Sequence, residues 1–169
     1  DYAGIVVTVS YAMRDHLVSL GYDEKKIRVV YNGIDTEKFS PDRFLFEERR
    51  RARTSLAIED DEFMILFVGR LDWVKGADTL LRSMPEILSQ VPKAKLVIVG
   101  VGELQEYLTN LVRTMRLDEY VKFRFNFIPE EERILHYAAC DVAVFPSLYE
   151  PFGIVALEAM SMERPVVVG

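Results

Sequence analysis

Glu150 and Glu158 stand eight positions apart in "YEPFGIVALEAM", Tyr149 to Met160, and Glu158 interrupts a run that is otherwise apolar on every helical face. An unpaired carboxylate inside a buried helix is costly, so it needs either a basic side chain from a neighbouring element or the hydroxyls of a ligand. A carboxylate can accept two hydroxyl hydrogen bonds at once, which suits a ribose or a hexose. Pro151 sets the turn between the acids, and Gly153 frees the backbone where the helix begins. The first N–H groups of that helix have no partner of their own and can bind phosphate or sugar oxygens.

A second stretch with chemical potential is "GRLDWVKG", Gly69 to Gly76. Its two glycines allow a tight turn, and Arg70 and Lys75 bracket a helix start. Two cations beside a helix N-terminus make a site for a diphosphate. The alternative is that Arg70 pairs with a nearby acid while Lys75 is simply exposed. "VGVGE", Val99 to Glu103, lacks the third glycine of the dinucleotide fingerprint, so a nicotinamide or flavin is not expected, while a plain nucleotide stays open. Trp73 either lines the crevice or covers the turn. His16 and His136 have no second ligand at metal spacing and read as structural, Ser10 reads as a helix cap, and neither a metal cluster nor a Ser/His/Asp or Cys/His set is evident.

These residues need a scaffold, and the chain supplies an alternation. Short apolar runs lie at Gly4–Ser10, Lys26–Tyr31, Glu62–Gly69, Ala94–Gly100, Tyr120–Phe125, Asp141–Pro146 and Pro165–Gly169. Helical patterns fall between them, at Tyr11–Leu20, Phe46–Leu56, Lys75–Gln90, Leu104–Met115, Glu130–Ala139 and Gly153–Met162. Several runs are continuously apolar and rich in Val and Ile, as strands covered on both faces should be. The expected fold is α/β, a parallel sheet with helices on both faces, with ligands in the crevice beyond the carboxyl ends of the strands. The charged "EERRRAR" within Asn32–Asp61 reads as a solvated helix face, and "EDDE" as a loop before the third strand.

Composition is that of a globular domain, 50% hydrophobic and 28% charged over 169 residues. A net charge of -6 argues against a broad grip on nucleic acid. No run of about 18 apolar residues predicts a membrane span, and no signal peptide is visible. Cys140 is the sole cysteine, which fits a reducing, cytoplasmic compartment. Both ends look cut, and the chain is read as a fragment of a longer protein.

Four ordered motifs carry a family resemblance. They are "VVYNGIDTEKF" (Val29–Phe39), "VGRLDWVKG" (Val68–Gly76), "LVIVGVGE" (Leu96–Glu103) and "FPSLYEPFGIVALEAM" (Phe145–Met160). Over nearly its whole length the chain resembles the donor-binding half of the retaining GT-B glycosyltransferases of family 4, a group that includes archaeal and bacterial glycogen and starch synthases. The resemblance implies a Rossmann-like C-terminal half of a GT-B fold, truncated at both ends. Residues 1–38 would be a lead-in from the end of the N-terminal domain plus a linker, and 39–169 the donor-binding domain, incomplete at its C-terminus. It further implies that Arg70 and Lys75 clasp the donor diphosphate with backbone near Gly69, Gly153 and Ile154. Glu158 would hold the ribose, so that bound nucleotide compensates its charge. Glu150, with backbone around Phe152 and Gly153, would hold the donor sugar.

The implied reaction transfers a hexose, with glucose expected, from ADP-glucose, UDP-glucose or another nucleoside diphosphate sugar to an acceptor hydroxyl, with no metal or other cofactor. The acceptor, a sugar or glucan, and a catalytic His would belong to the missing N-terminal domain, so the fragment alone is expected to bind donor and to transfer weakly or not at all. Two alternatives share the sheet: a GT-B-type epimerase or phosphorylase, and a non-catalytic nucleotide-binding module whose acids are structural.

Overall fold

The structure, a computed structural model, describes residues 3–169; the first two residues of the expected lead-in lie outside the described residues. Strands β1 (Val6–Thr8) and β2 (Ile27–Val29) form a two-stranded parallel sheet around helix α1 (Tyr11–Ser19). Ser10 caps α1 as expected, its hydroxyl accepting the Met13 N–H at 3.2 Å.

The main sheet is parallel and five-stranded: β3 (Phe63–Val68), β4 (Ala94–Val99), β5 (Val121–Arg124), β6 (Val142–Phe145) and β7 (Val166–Val168), in the order β5-β4-β3-β6-β7. Helices α2 (Phe46–Ser55), α3 (Ala77–Gln90), α4 (Gln105–Thr114), α5 (Glu130–Ala139) and α6 (Ile154–Ser161) connect or flank the strands. The period-2 alternation of β3 explains the layering. Met64, Leu66 and Val68 point into one core with Ala52 of α2 and Leu56 just after it, Ile134 and Tyr137 of α5 and Ala159 of α6. Ile65 and Phe67 point into the other, with Leu80, Leu81 and Met84 of α3 and Leu108 and Val112 of α4. With both faces covered, the strands are apolar on both sides, which is the pattern seen in the sequence.

Three expectations are corrected. Helix α3 begins at Ala77 rather than Lys75, because Trp73–Lys75 form a separate 3-10 turn and Gly76 adopts a left-handed conformation (φ 69°) that breaks the two apart. "EERRRAR" is only partly a solvated face. Arg53 reaches inward, its Nη1 donating to the Ala139 carbonyl at 2.9 Å and to Asp141 at 3.2 Å. Helix α6 is not a buried helix: only Glu158 and Ala159 are buried, while Met160 is 59% exposed. The charged residue faces inward because its partners sit on α5, and apolar neighbours face out.

Candidate functional site

The loops after β3 and β6 are tied together. Asp72 Oδ1 accepts the Lys75 N–H at 3.1 Å and closes the 3-10 turn, and the Leu148 N–H donates to the Val74 carbonyl at 2.8 Å. The loop after β4 is drawn in by its glycines. A Cβ on Gly100 would fall 1.8 Å from the Gly69 carbonyl oxygen, and one on Gly102 would fall 2.2 Å from that of Leu71. "VGVGE" therefore serves close backbone approach, with hydrogen bonds from Gly69 N–H to Val99 O (3.1 Å) and Leu71 N–H to Val101 O (2.9 Å).

On this platform Arg70 is exposed, its Nε donating to Asp72 Oδ2 at 2.5 Å. Lys75 Nζ donates to Glu150 Oε2 at 2.5 Å, and Glu150 Oε1 accepts the Gly153 N–H at 3.2 Å. Glu150 thus caps the turn into α6, whose next N–H groups, on Ile154 and Val155, precede the first helical acceptor and have no intrahelical partner. Trp73 is half exposed and lies against Tyr107 with ring centroids 4.9 Å apart, covering the turn.

Glu158 is 6% exposed. Its Oε1 accepts from Arg133 Nη2 at 3.1 Å and its Oε2 from the Tyr137 hydroxyl at 2.9 Å, both from α5. Burial, reinforced by the Glu158 charge, pushes the Tyr137 hydroxyl well above its ordinary value of 10, so it stays protonated and donates. In the chain itself, Glu158 is therefore compensated by a basic partner and a phenol rather than by nucleotide alone. Arg133 and Tyr137 were missed in the sequence; the one available signal was an arginine set in the otherwise acidic and apolar "EEERILHY".

Arg70 and Glu158 nonetheless line a single cavity of about 480 Å³ at the carboxyl ends of β3, β4 and β5. Its walls are largely apolar, with Val68, Val101, Phe127 and Ile154 among them, and its polar groups are Arg70, Asn126, Arg133 and Glu158. A largely apolar cavity with a buried acid and an exposed guanidinium, that of Arg70, suits a nucleotide: rings against the aliphatic walls, hydroxyls at the carboxylate, anion at the guanidinium. Of the residues singled out in the sequence, Gly69, Arg70, Ile154 and Glu158 line this cavity. Lys75 does not, and Glu150, Phe152 and Gly153 line an adjoining hollow of about 200 Å³. The two acids and two bases singled out in the sequence therefore do not share one crevice. One acid is buried, the other sits on the rim with Lys75, and the main crevice is mostly apolar. Asn126 and Phe127 were also missed, because a loop after a strand carries no periodic signal.

Comparison with known proteins adds identity to this geometry. The family model described as glycosyl transferases group 1 matches residues 48–169, and that described as Glycosyltransferase Family 4 matches residues 1–38. An uncharacterized glycosyltransferase of Methanocaldococcus jannaschii is 43% identical over 96% of this chain and 41% of its own length. D-inositol 3-phosphate glycosyltransferase 2 of Catenulispora acidiphila is 34% identical over 87% of the chain and 35% of its own length. Glycogen synthase of Mycobacterium tuberculosis is 32% identical over 96% and 36%. The chain therefore spans roughly two fifths or less of the length of these curated relatives. Among solved structures, the Anabaena protein Alr3699/HepE in complex with UDP and glucose superposes with a TM-score of 0.85 at 26% identity, over 98% of this chain and 44% of that one. The parallel sheet with helices on both faces is the expected GT-B half, and from the match over 48–169 the chain belongs to the glycosyl transferases group 1 family.

Proposed function

We propose that this chain is the donor-binding part of a retaining glycosyltransferase that moves a hexose, glucose in the first instance, from a nucleoside diphosphate sugar to an acceptor hydroxyl. The observation that carries the reading is the apolar cavity at the carboxyl end of the sheet, with the buried Glu158 and Arg70 on its lining. Glu158 has a second lone pair on each oxygen beyond those engaged by Arg133 and Tyr137, and these accept the ribose hydroxyls.

As the bond between the anomeric carbon and the diphosphate oxygen breaks, its electron pair passes to the diphosphate. Arg70, Lys75 and the free N–H groups at the start of α6 stabilise that charge, and no metal is needed for this role. Lys75 leaves Glu150 to meet the phosphate, and Glu150, with the backbone of Phe152 and Gly153, turns to the sugar hydroxyls. The donor is UDP-glucose or ADP-glucose; the Anabaena neighbour with UDP and glucose and the glycogen synthase relative support that choice. Relatives named for inositol phosphate and for glycogen resemble this segment about equally, so the acceptor, a sugar or glucan, is selected by the N-terminal domain. Residues 1–38 belong with that domain and the linker, and 39–169 with the donor domain, a division supported by the two separate sheets. The fragment alone binds donor without appreciable transfer. Cytoplasmic residence is part of the same reading, in keeping with the buried Cys140 thiol, whose pKa burial pushes up to about 12.

Calorimetric titration with ADP, UDP and GDP tests the assignment. One of the three should bind the wild-type chain, and Arg70→Ala/Lys75→Ala should weaken it by about tenfold or more, as expected for charge-assisted bonds to phosphate. Affinity untouched by loss of both cations refutes the diphosphate role. Product analysis of the full-length protein separates transfer from epimerisation or phosphorolysis.

A further inference from the structure

We propose that Arg133 is a positioning residue for Glu158, and that the linker sets its grip through Lys38 and Glu130. The proposal rests on the reading of Glu158 as the ribose-binding acid. One nitrogen, Arg133 Nη2, faces two carboxylates, Glu158 Oε1 at 3.1 Å and Glu130 Oε2 at 3.4 Å. Arg133 Nε is buried and has no hydrogen-bond partner among the described residues, so the guanidinium is not pinned elsewhere through that atom. A cation shared in this way moves toward whichever acid carries more uncompensated charge.

Lys38 decides which acid that is. It forms an ion pair with Glu130 Oε1, and its hydrogen bond is the main cause holding the Glu130 carboxyl below the ordinary range. With Glu130 engaged by Lys38, Arg133 is left to Glu158.

The "NGIDTEKF" motif fixes Lys38 in place to do this. Asp35 Oδ1 accepts the N–H groups of Glu37 (3.1 Å) and Lys38 (3.0 Å), closing a turn. Phe39 is buried in the core beside Ala52 and Leu56, and its carbonyl accepts the Ser161 hydroxyl of α6 at 2.6 Å. The linker is thereby strapped to α6 by Phe39 and to α5 by Lys38, across the same seam that holds Glu158. A change in the linker's path alters how far the charge on Glu130 is compensated and, through Arg133, the presentation of the donor acid.

The experiment is calorimetry on this chain with UDP, ADP and GDP, and then with the 2′,3′-dideoxy form of whichever binds. Arg133→Met should weaken the parent nucleotide about tenfold and leave the dideoxy form nearly unchanged, because only the former uses Glu158. Arg133→Lys should restore part of the preference. Lys38→Met should weaken the parent nucleotide by about two- to threefold, the scale of a partly exposed pair, while Glu130→Gln leaves it as tight or tighter. The Lys38→Met/Glu130→Gln double variant should behave like Glu130→Gln alone. Equal wild-type affinity for the two ligands overturns the reading of Glu158 and this proposal with it. A wild-type preference that survives Arg133→Met, or an equal loss for both ligands, overturns the positioning role alone. Lys38→Met and Glu130→Gln shifting affinity in the same direction overturns the part given to the linker.

Discussion

Glu150 and Glu158 share a residue type and one twelve-residue stretch, yet their surroundings are opposite. Glu158 lies in a seam between α5 and α6, where each oxygen has a donor, the Tyr137 hydroxyl for one and the Arg133 nitrogen shared with Glu130 for the other. Glu150 is exposed on the rim, holding a backbone N–H with one oxygen and Lys75 with the other. A buried acid with fixed partners can present its remaining lone pairs in one orientation only, which is what recognition of a constant group requires. A rim acid can exchange partners at small cost, and in the proposed donor role it would release Lys75 to an arriving phosphate. The spacing of eight residues thus joins a rigid contact to an adaptable one.

The sharpest way to break this contrast is stability. Glu158→Leu strands the Tyr137 hydroxyl and leaves Arg133 with Glu130 alone, so it should cost about 3 kcal/mol in urea denaturation. A loss below about 1 kcal/mol, the range of an exposed pair, would remove the distinction between the two acids.

A second test uses the buried imidazole of His136, on the same helix α5 as Arg133. His136 Nδ1–H donates to the Glu132 carbonyl at 2.6 Å, while its buried Nε2 has no partner among the described residues. Burial holds its pKa below 6.5. Because the folded value is depressed, the unfolded chain takes up the proton first as acid is added. Stability is complete above about pH 6.5 and declines below it, with a slope of at most about 1.4 kcal/mol per pH unit for one proton. His136→Gln should flatten the denaturation midpoint between about pH 7 and pH 5.5; an unchanged slope would mean the imidazole does not sense burial. The smallest effect belongs to the rim. Glu150→Gln should alter stability by less than about 0.5 kcal/mol, since both it and Lys75 keep access to water.

Much of this arrangement was legible in the sequence. The apolar runs and helical periods located each strand and each α-helix among the described residues, though not the short 3-10 turns, because a sheet covered on both faces leaves its composition in each strand. Arg70 and Glu158 fall on one cavity, in keeping with the rule that parallel strands present ligands at their carboxyl ends, while Ile154 was named through the family resemblance and Lys75 and Glu150, expected at the same crevice, lie outside it. What escaped was contact across elements. Arg133 is 25 residues from Glu158, and only the docking of α5 on α6 selects it as partner. The start of α3 was missed for a local reason, the left-handed turn at Gly76, and the outward apolar face of α6 because periodicity cannot say which side a helix turns to water.

The glycines of the β4 loop have an effect on the loop beside them. Since Gly100 and Gly102 let one backbone press onto the carbonyls of Gly69 and Leu71, the ledge bearing Arg70 has no room to recede or slide. In the proposed donor role, tuning of this pocket toward a different base would then fall to Asn126 and Phe127, which line the same hollow from a separate loop.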